Sequence, residues 1–337
     1  MRDSRKVAPC ARSSESPHTH AGVALGLAAL GNLLQPYTEI VHIVCGILSL
    51  VLIAMLGAKI ALFPDMIRDD LHNSIMASVS ATLFMTLMQL AGYLAPFAYI
   101  PAFALWSAAV VAHLALMGWF TARFISHFKL HEVFPTYFIC YVGIVVASVT
   151  SPTFGMEAVG HLLFWFGFAC YVVLLGLVTY RYMKHEIPES ARPLFCIYTA
   201  PMSLSLVGYL ATAPQPNLVF VLAMLVLAQV LFAVVLSRLP VLLRLRFYPS
   251  YAAMTFPFVI TATALGQGTA FFQANGVALP FAFDVVFYVE VALATIMVAY
   301  VLAHYLRFFF RRIEQPQSVA VLKENAQIAR FSENFDN

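Results

Sequence analysis

The chain has 337 residues, of which 61% are hydrophobic and 10% charged, and its formal net charge is +3. An average soluble domain carries about 25% charged residues, so the composition excludes an ordinary soluble globular protein. The small net charge does not indicate a nucleic-acid partner. Apolar runs of about 20 residues recur along almost the whole chain, and each can cross a hydrocarbon core of about 30 Å as a helix. The sequence therefore predicts an all-α integral membrane protein.

Ten apolar runs, separated by Pro, Gly and charged residues, predict ten transmembrane helices. A basic tail precedes the first run, and no A-x-A-like cleavage site follows it, so we interpret it as a span rather than a signal peptide. These limits place tails at 1–19 and 311–337 around a membrane domain at 20–310. The predicted spans lie near 20–37, 39–62, 73–95, 100–122, 135–150, 157–182, 193–212, 217–238, 249–271 and 282–306.

The 5 cysteines are scattered singly along the chain and form no C-x-x-C pair. Four of them lie in apolar runs, where a cysteine usually serves as a small core residue. We therefore expect neither a metal site nor a cofactor.

The basic residues are distributed unevenly among the connections. All 19 Lys and Arg residues lie before the first span, after the tenth span, or in the connections after the even-numbered spans, including the last few residues of those spans. Basic residues accumulate on the cytoplasmic side of membrane proteins, so both termini and all the even connections are predicted to be cytoplasmic. We expect a multi-pass protein of the plasma, or inner, membrane.

The odd-numbered spans begin near 20, 73, 135, 193 and 249, which suggests five helical hairpins. They contain more small and helix-breaking residues than the even spans, which are richer in Leu, Val and Phe. Such residues suit helices that pack around an axis or line a path. We therefore expect the even helices to form a lipid-facing outer ring. The candidate lining residues are Gly22, Gly26, Ser78, Gly143, Pro201, Ser203 and Pro257.

No Lys or Arg lies deep in any predicted span. The five odd helices would all point their N-termini, each equivalent to roughly +0.5 charge, to the cytoplasmic side. Together with the basic connections, these ends would attract anions. Any hairpin repeat also makes the odd helices parallel, and basic loops can serve insertion alone, so both interpretations stay open.

Glu290 is the acidic residue that lies deep inside a predicted span, six residues beyond Asp284 near the start of that span. Carboxylates within a membrane are candidates for a functional role, here coupling to protons. A position near the outer interface or a single interhelical hydrogen bond explains Glu290 equally well.

The stretch Asp65-Met66-Ile67-Arg68-Asp69-Asp70 is similar to acidic motifs that hold Mg²⁺ and a diphosphate in membrane prenyl- or phosphotransferases. Such enzymes need a second acidic cluster on another cytoplasmic connection. The other connections contain only isolated acids, Glu132 in one and Glu186 with Glu189 in another. We keep a transferase as an alternative and predict that the protein is not an enzyme.

Three segments resemble the tellurite-resistance/dicarboxylate transporter family, which includes plant slow anion channels and fungal malate permeases and sulfite pumps. Residues 21–28, AGVALGLA, are similar to the family's G-x-x-L-G-L opening. Residues 199–205, TAPMSLS, resemble its A-P helix, and residues 250–257, SYAAMTFP, its T-F-P helix. The likeness covers about residues 20–310. One departure is His72-Asn73, where many members carry His-Pro.

The resemblance implies a homotrimer in which each protomer has its own pore, lined by the five odd helices in a quasi-five-fold arrangement. It also implies that Phe256 closes this pore. The expected function is transport of small inorganic or organic anions across a lipid bilayer. A proton-coupled carrier of mono- or dicarboxylates, or of sulfite, is the alternative, and such a carrier needs a titrating group in its path.

Overall fold

The computed structural model describes residues 19–313, apart from the side chains at 19, 66, 67, 69 and 309–313. Almost all of the two predicted tails, 1–19 and 311–337, lies outside these residues. Every element of the described chain is helical, and no strand occurs between residues 19 and 313. The predicted all-α class is therefore confirmed for this part of the chain.

Ten helical segments follow one another, and each coincides with a predicted span. A short additional helix, Pro64–Asp70, lies between the second and third segments. The segments are α1 Thr19–Leu34, α2 Glu39–Leu62, α3 Ser74–Val79 with Ala81–Leu94, α4 Tyr99–Phe120, α5 Thr136–Tyr141 with Val145–Thr150, α6 Glu157–Lys184, α7 Ala200–Thr212, α8 Leu218–Leu242, α9 Phe256–Ala274 and α10 Ala282–Ile313.

In the described chain, seven segments are long and apolar enough to cross a membrane by length and composition alone: α2, α3, α4, α6, α8, α10, and α7 taken together with the 3-10 stretch Glu189–Thr199 that precedes it. This finding confirms a membrane protein with several spans. The apolar helices of α1 and α5 are shorter, and α9 carries several Thr and Gln side chains. Ten membrane crossings therefore remain a prediction.

The odd-numbered segments contact one another in a closed order: α1 with α3, α3 with α5, α5 with α7, α7 with α9, and α9 with α1. Each even segment packs against the odd segment that precedes it. Burial follows the same division. In the most apolar 18 residues of each segment, 72% are buried for α3 and 83% for α7 with its preceding 3-10 stretch, compared with 28–33% for the even segments. The exposed residues of the even segments are mostly large and apolar, as a lipid-facing surface requires.

Most odd segments are interrupted, unlike the continuous spans that the sequence predicts. α3 is interrupted at Ser80, and α5 is broken between Tyr141 and Val145. 3-10 stretches, Glu189–Thr199 and Pro249–Met254, precede α7 and α9. Broken helices are tolerated at membrane depth where protein or water satisfies the backbone groups. These breaks lie within the group formed by the odd segments.

Pro257 lies inside the ninth predicted span, where a proline could bend a helix, but it does not bend one. α9 begins at Phe256, so Pro257 occupies one of its first two positions. The first N–H groups of a helix have no partner within it, and a proline there costs no hydrogen bond. Pro201 lies in the same position at the start of α7. Both prolines therefore start a helix rather than kink one.

Candidate functional site

A cavity of about 780 Å³ opens where the five odd segments begin, and all five line it. We call it the central cavity. Its lining includes the first helical residues of α7 and α9, Ala200 and Phe256. Helix N-termini carry partial positive charge, so the ends of α7 and α9 favour anions in this space.

The residues at the mouth of the central cavity are polar. Arg246 is the only lysine or arginine among the described lining residues, and Glu132 is the only acid. Arg246 Nε donates a hydrogen bond to the Tyr248 hydroxyl, which in turn donates to Glu189 Oε1 at 2.9 Å. Glu132 accepts from Lys129 Nζ at 3.2 Å. Both acidic side chains near the mouth are thus engaged by donors.

Asn73 explains the departure from the family's His-Pro at the start of α3. Its side-chain oxygen accepts hydrogen bonds from the backbone N–H of Ile75 at 2.9 Å and of Met76 at 3.3 Å. Asparagine in this position caps the free N–H groups of a helix. The helix therefore starts at Ser74 with Asn73 as its cap and without a proline.

The lining residues furthest along each odd segment are apolar. Counted from the start of each segment, the last lining residue other than Gly or Pro has a side chain that cannot carry charge. Phe256 is one of them and is 6% exposed. An anion that passed this level would lose water without meeting a charged side chain. The five side chains, which we call the apolar ring, are Leu25, Met85, Val142, Leu204 and Phe256.

Four further candidate residues line the central cavity: Gly22, Gly143, Pro201 and Pro257. A Cβ atom on Gly143 would lie 2.2 Å from the backbone oxygen of Ile139 and 2.7 Å from Met85 Sδ. Gly143 is therefore required by the fold of α5 against α3, as well as by the space beside it.

The other three candidates take part in packing and do not line the central cavity. Gly26 faces the side chain of Thr255. Ser78 donates to the backbone oxygen of Ser74 at 2.7 Å. The hydroxyl of Ser203 lies 3.1 Å from that of Thr261 and links α7 to α9. Small polar residues suit close helix contacts as well as pores, and the sequence pattern does not separate these uses.

Glu290 lies on α10, is 3% exposed and does not line the central cavity. Its carboxyl lies beside the side chain of Gln229 on α8. Glu290 Oε2 and Gln229 Nε2 are both buried without a hydrogen-bond partner. The acid is thus deeply buried, as its position in the sequence predicts, but in the outer ring of helices.

The acidic stretch at residues 65–70 does not form part of a metal site in the described residues. Asp65 and Arg68 are exposed, and the side chains at 66, 67 and 69 are outside the description. Within residues 19–313, no three His, Cys, Asp or Glu side chains come together as metal ligands would. The transferase alternative therefore gains no support from geometry.

Arg181 is a buried residue near the central cavity that the sequence did not single out. It lies at the end of the sixth predicted span, next to the connection that holds Lys184. In the structure it lies within α6, is 2% exposed, and stacks its guanidinium against the ring of Phe134 at 4.2 Å. A charged residue in a last helical turn usually faces water, so no sequence signal indicates this burial.

Comparison with known protein families gives one result that covers most of the chain. The family described as "Voltage-dependent anion channel" matches residues 17–306. The matched range confirms the resemblance to slow anion channels and tellurite-resistance proteins, and it implies transport of anions across a membrane. A comparison with individual curated proteins gives no match. The chain belongs to the voltage-dependent anion channel family.

Proposed function

We propose that the protein is a channel for small inorganic or organic anions in the plasma membrane. Ten helices would cross the bilayer as five hairpins, with both termini in the cytoplasm and the odd helices around the path. The central cavity would be its cytoplasmic vestibule, and the apolar ring its closed gate. By family resemblance, three copies would assemble, each with its own pore.

The observation that carries this proposal is the central cavity, which is lined by all five odd segments and whose lining includes the apolar ring. A neutral constriction stops a hydrated anion because the ion must shed water there without a compensating charge. Blocking an anion in this way does not require a residue that takes up or releases a proton. Phe256 has the largest side chain of the ring, and truncating it widens the constriction most.

The mouth of the central cavity supports an anionic substrate. Arg246 lies there, and α7 and α9 start at its wall. A cleft lined by positive charge raises the local concentration of anions and their rate of entry. Arg246 and the N-termini of α7 and α9 would therefore attract anions on the same side of the apolar ring.

The proton-coupled carrier receives less support. It requires an acid or base in the path, and Glu290, the intramembrane acid that the sequence singles out, lies in the outer ring of helices. The cavity lining also contains bases. Among the described residues, its histidines and its acid, His72, His131 and Glu132, all lie in the connections before α3 and α5, and Glu132 is bound to Lys129. We therefore favour passive conduction.

Replacing Phe256 by alanine tests the gate. We expect anion current through reconstituted protein to rise at least about tenfold, which corresponds to lowering a barrier by roughly 1.4 kcal/mol. Currents in planar bilayers under chloride or nitrate gradients measure both the size and the ion selectivity of the effect.

The matched control is Phe272→Ala. Phe272 lies on the same helix and is also 6% exposed, but it does not line the central cavity. It is preferable to Phe258, which is fully buried against Phe232 and whose loss would disturb the fold. If Phe256→Ala conducts no better than Phe272→Ala while both remain folded, Phe256 is not the gate.

A further inference from the structure

The guanidinium of Arg181 is buried without a counter-ion. Nη2 donates to the backbone oxygen of His131 at 3.3 Å, while Nε and Nη1 are buried with no hydrogen-bond partner. In the described part of the chain, no Asp or Glu forms an ion pair with it. Burying a charge is costly unless it is paired and hydrogen-bonded. Two donor nitrogens of the guanidinium, Nε and Nη1, are therefore available to an acceptor.

The surroundings of Arg181 are aromatic. The ring centroid of Phe134 lies 4.2 Å from Arg181 Cζ, and that of Tyr182 lies 5.7 Å away. Aromatic faces stabilise a cation, but they accept no conventional hydrogen bonds. The Tyr182 hydroxyl is also buried without a partner. Positive charge with free donors and no carboxylate selects an anion and rejects a cation.

Phe134 separates this guanidinium from the central cavity. Phe134, His131 and Glu132 line the cavity, whereas Arg181 does not. The phenyl ring of Phe134 thus separates the guanidinium from the cavity that the proposed function would fill with anions. A change of the Phe134 rotamer would bring an anion in the cavity into contact with Nε and Nη1, because a χ1 rotation moves the whole ring.

We propose that Arg181 forms a binding site for a small monovalent anion, such as nitrate or chloride, in the wall of the central cavity, with Phe134 as its cover. The inference rests on the proposed function only for the supply of anions from the cavity. A lipid phosphate has the same chemistry. We commit to the free anion because Arg181 is turned inward, whereas its neighbours Tyr180 and Met183 are 51% and 78% exposed.

The test measures binding rather than current. Protein in a neutral maltoside detergent is titrated with sodium nitrate, with gluconate keeping the ionic strength constant, and its Tm is recorded. A ligand that binds the folded state raises Tm, and we expect a rise of at least about 2 °C at saturation. Arg181→Met should lose this rise.

Lys184→Met is the matched control, because Lys184 is an exposed cation at the end of the same helix. It should retain the response to nitrate. If the parent protein does not respond, or if Lys184→Met loses the response as fully as Arg181→Met, the inference is wrong.

A second variant does not depend on Arg181 being replaceable. Phe134→Ala removes the cover, and the nitrate concentration at half of the maximal Tm rise should fall at least about threefold. An unchanged or higher concentration contradicts the role of the cover and overturns the site as proposed.

Two further results separate this inference from its alternatives. If the parent carries no anion current but shows stabilisation by nitrate that depends on Arg181, the site stands and the channel proposal fails. If anion currents occur without such stabilisation, the site is overturned and the channel stands. Stabilisation by phosphatidylglycerol with none by nitrate would assign Arg181 to a lipid headgroup and also overturn the inference.

Discussion

At the scale of single residues, the apolar ring would block an anion because it contains no polar or charged group. Leu25, Met85, Val142, Leu204 and Phe256 present only apolar surface to an approaching ion. The polar residue next to Phe256 already has a hydrogen-bond partner, since the Thr255 hydroxyl donates to the backbone oxygen of Gly22 at 3.1 Å. A barrier of this kind depends on the size of the side chains and hardly on pH.

The buried acid Glu290 gives a prediction about coupling. Glu290→Gln should leave the response of anion flux to an imposed pH gradient unchanged, because the residue lies outside the central cavity. It should also preserve or raise Tm, since a neutral amide is cheaper to bury than a carboxyl group that can ionise. Flux into proteoliposomes and thermal unfolding measure the two effects.

The parent protein, assayed with and without the pH gradient, is the control for this experiment. A folded Glu290→Gln variant that has lost a pH dependence present in the parent would favour the proton-coupled carrier.

At the scale of the elements, α7 and α9 begin in the same way. Each follows a 3-10 stretch and has a proline in its first turn, and each proline lines the central cavity. Proline pre-organises the first turn of a helix and removes an N–H that would have no partner there. The same local sequence device thus starts two of the five helices beside the cavity.

The contact between α1 and α9 depends on Gly26. A Cβ atom there would lie 2.5 Å from Thr255 Cβ and 3.1 Å from the backbone nitrogen of Phe256. Gly26→Ala should therefore destabilise the protein by about 1–3 kcal/mol through overpacking. Thermal unfolding in detergent measures the loss, and because the clash involves Phe256, the current should change as well.

Gly118→Ala is the control, since a Cβ atom on this glycine of α4 meets nothing within 4 Å. Alanine is the better helix former, so this variant should be at least as stable as the parent. If both variants have equal stability, α1 and α9 do not pack as closely as described.

At the scale of the whole molecule, the closed order of the odd segments leaves a lipid-facing surface to the even ones. Only about a third of each even segment is buried, and its exposed residues are largely apolar. Lipid replaces the protein contacts that a soluble fold would need, so this surface requires no further cover.

Topology follows from the distribution of basic residues and can be tested by labelling. Thr153 is exposed in the connection between α5 and α6. The positive-inside rule places this connection outside the cell, so Thr153→Cys should react with an impermeant maleimide in intact cells. Cys10 and Cys170 should first be replaced by serine. The other three cysteines, Cys45, Cys140 and Cys196, are buried, so they should not react with the reagent.

His127→Cys is the matched control, because His127 is exposed in the connection between α4 and α5, on the predicted cytoplasmic side. It should react only after permeabilisation. The opposite pattern at the two sites would invert the topology.

The ten helical segments were predictable because hydrophobicity and charge are properties of short stretches of sequence. The family was predictable because the motifs around Gly22, Pro201 and Phe256 are local as well. The start of α9 at Phe256 was not, because a proline within an apolar run fits both a kink and a helix start.

The sequence by itself thus determined the membrane class, the positions of the segments, the family and five of the residues that line the central cavity. Only the tertiary structure decided that Gly26, Ser78 and Ser203 serve packing, that Glu290 belongs to the outer ring, and that Arg181 is buried beside the cavity. The physical reason is that composition sets whether a helix enters the membrane. Which of its faces meets a neighbour, a cavity or lipid depends on contacts between residues far apart in the chain.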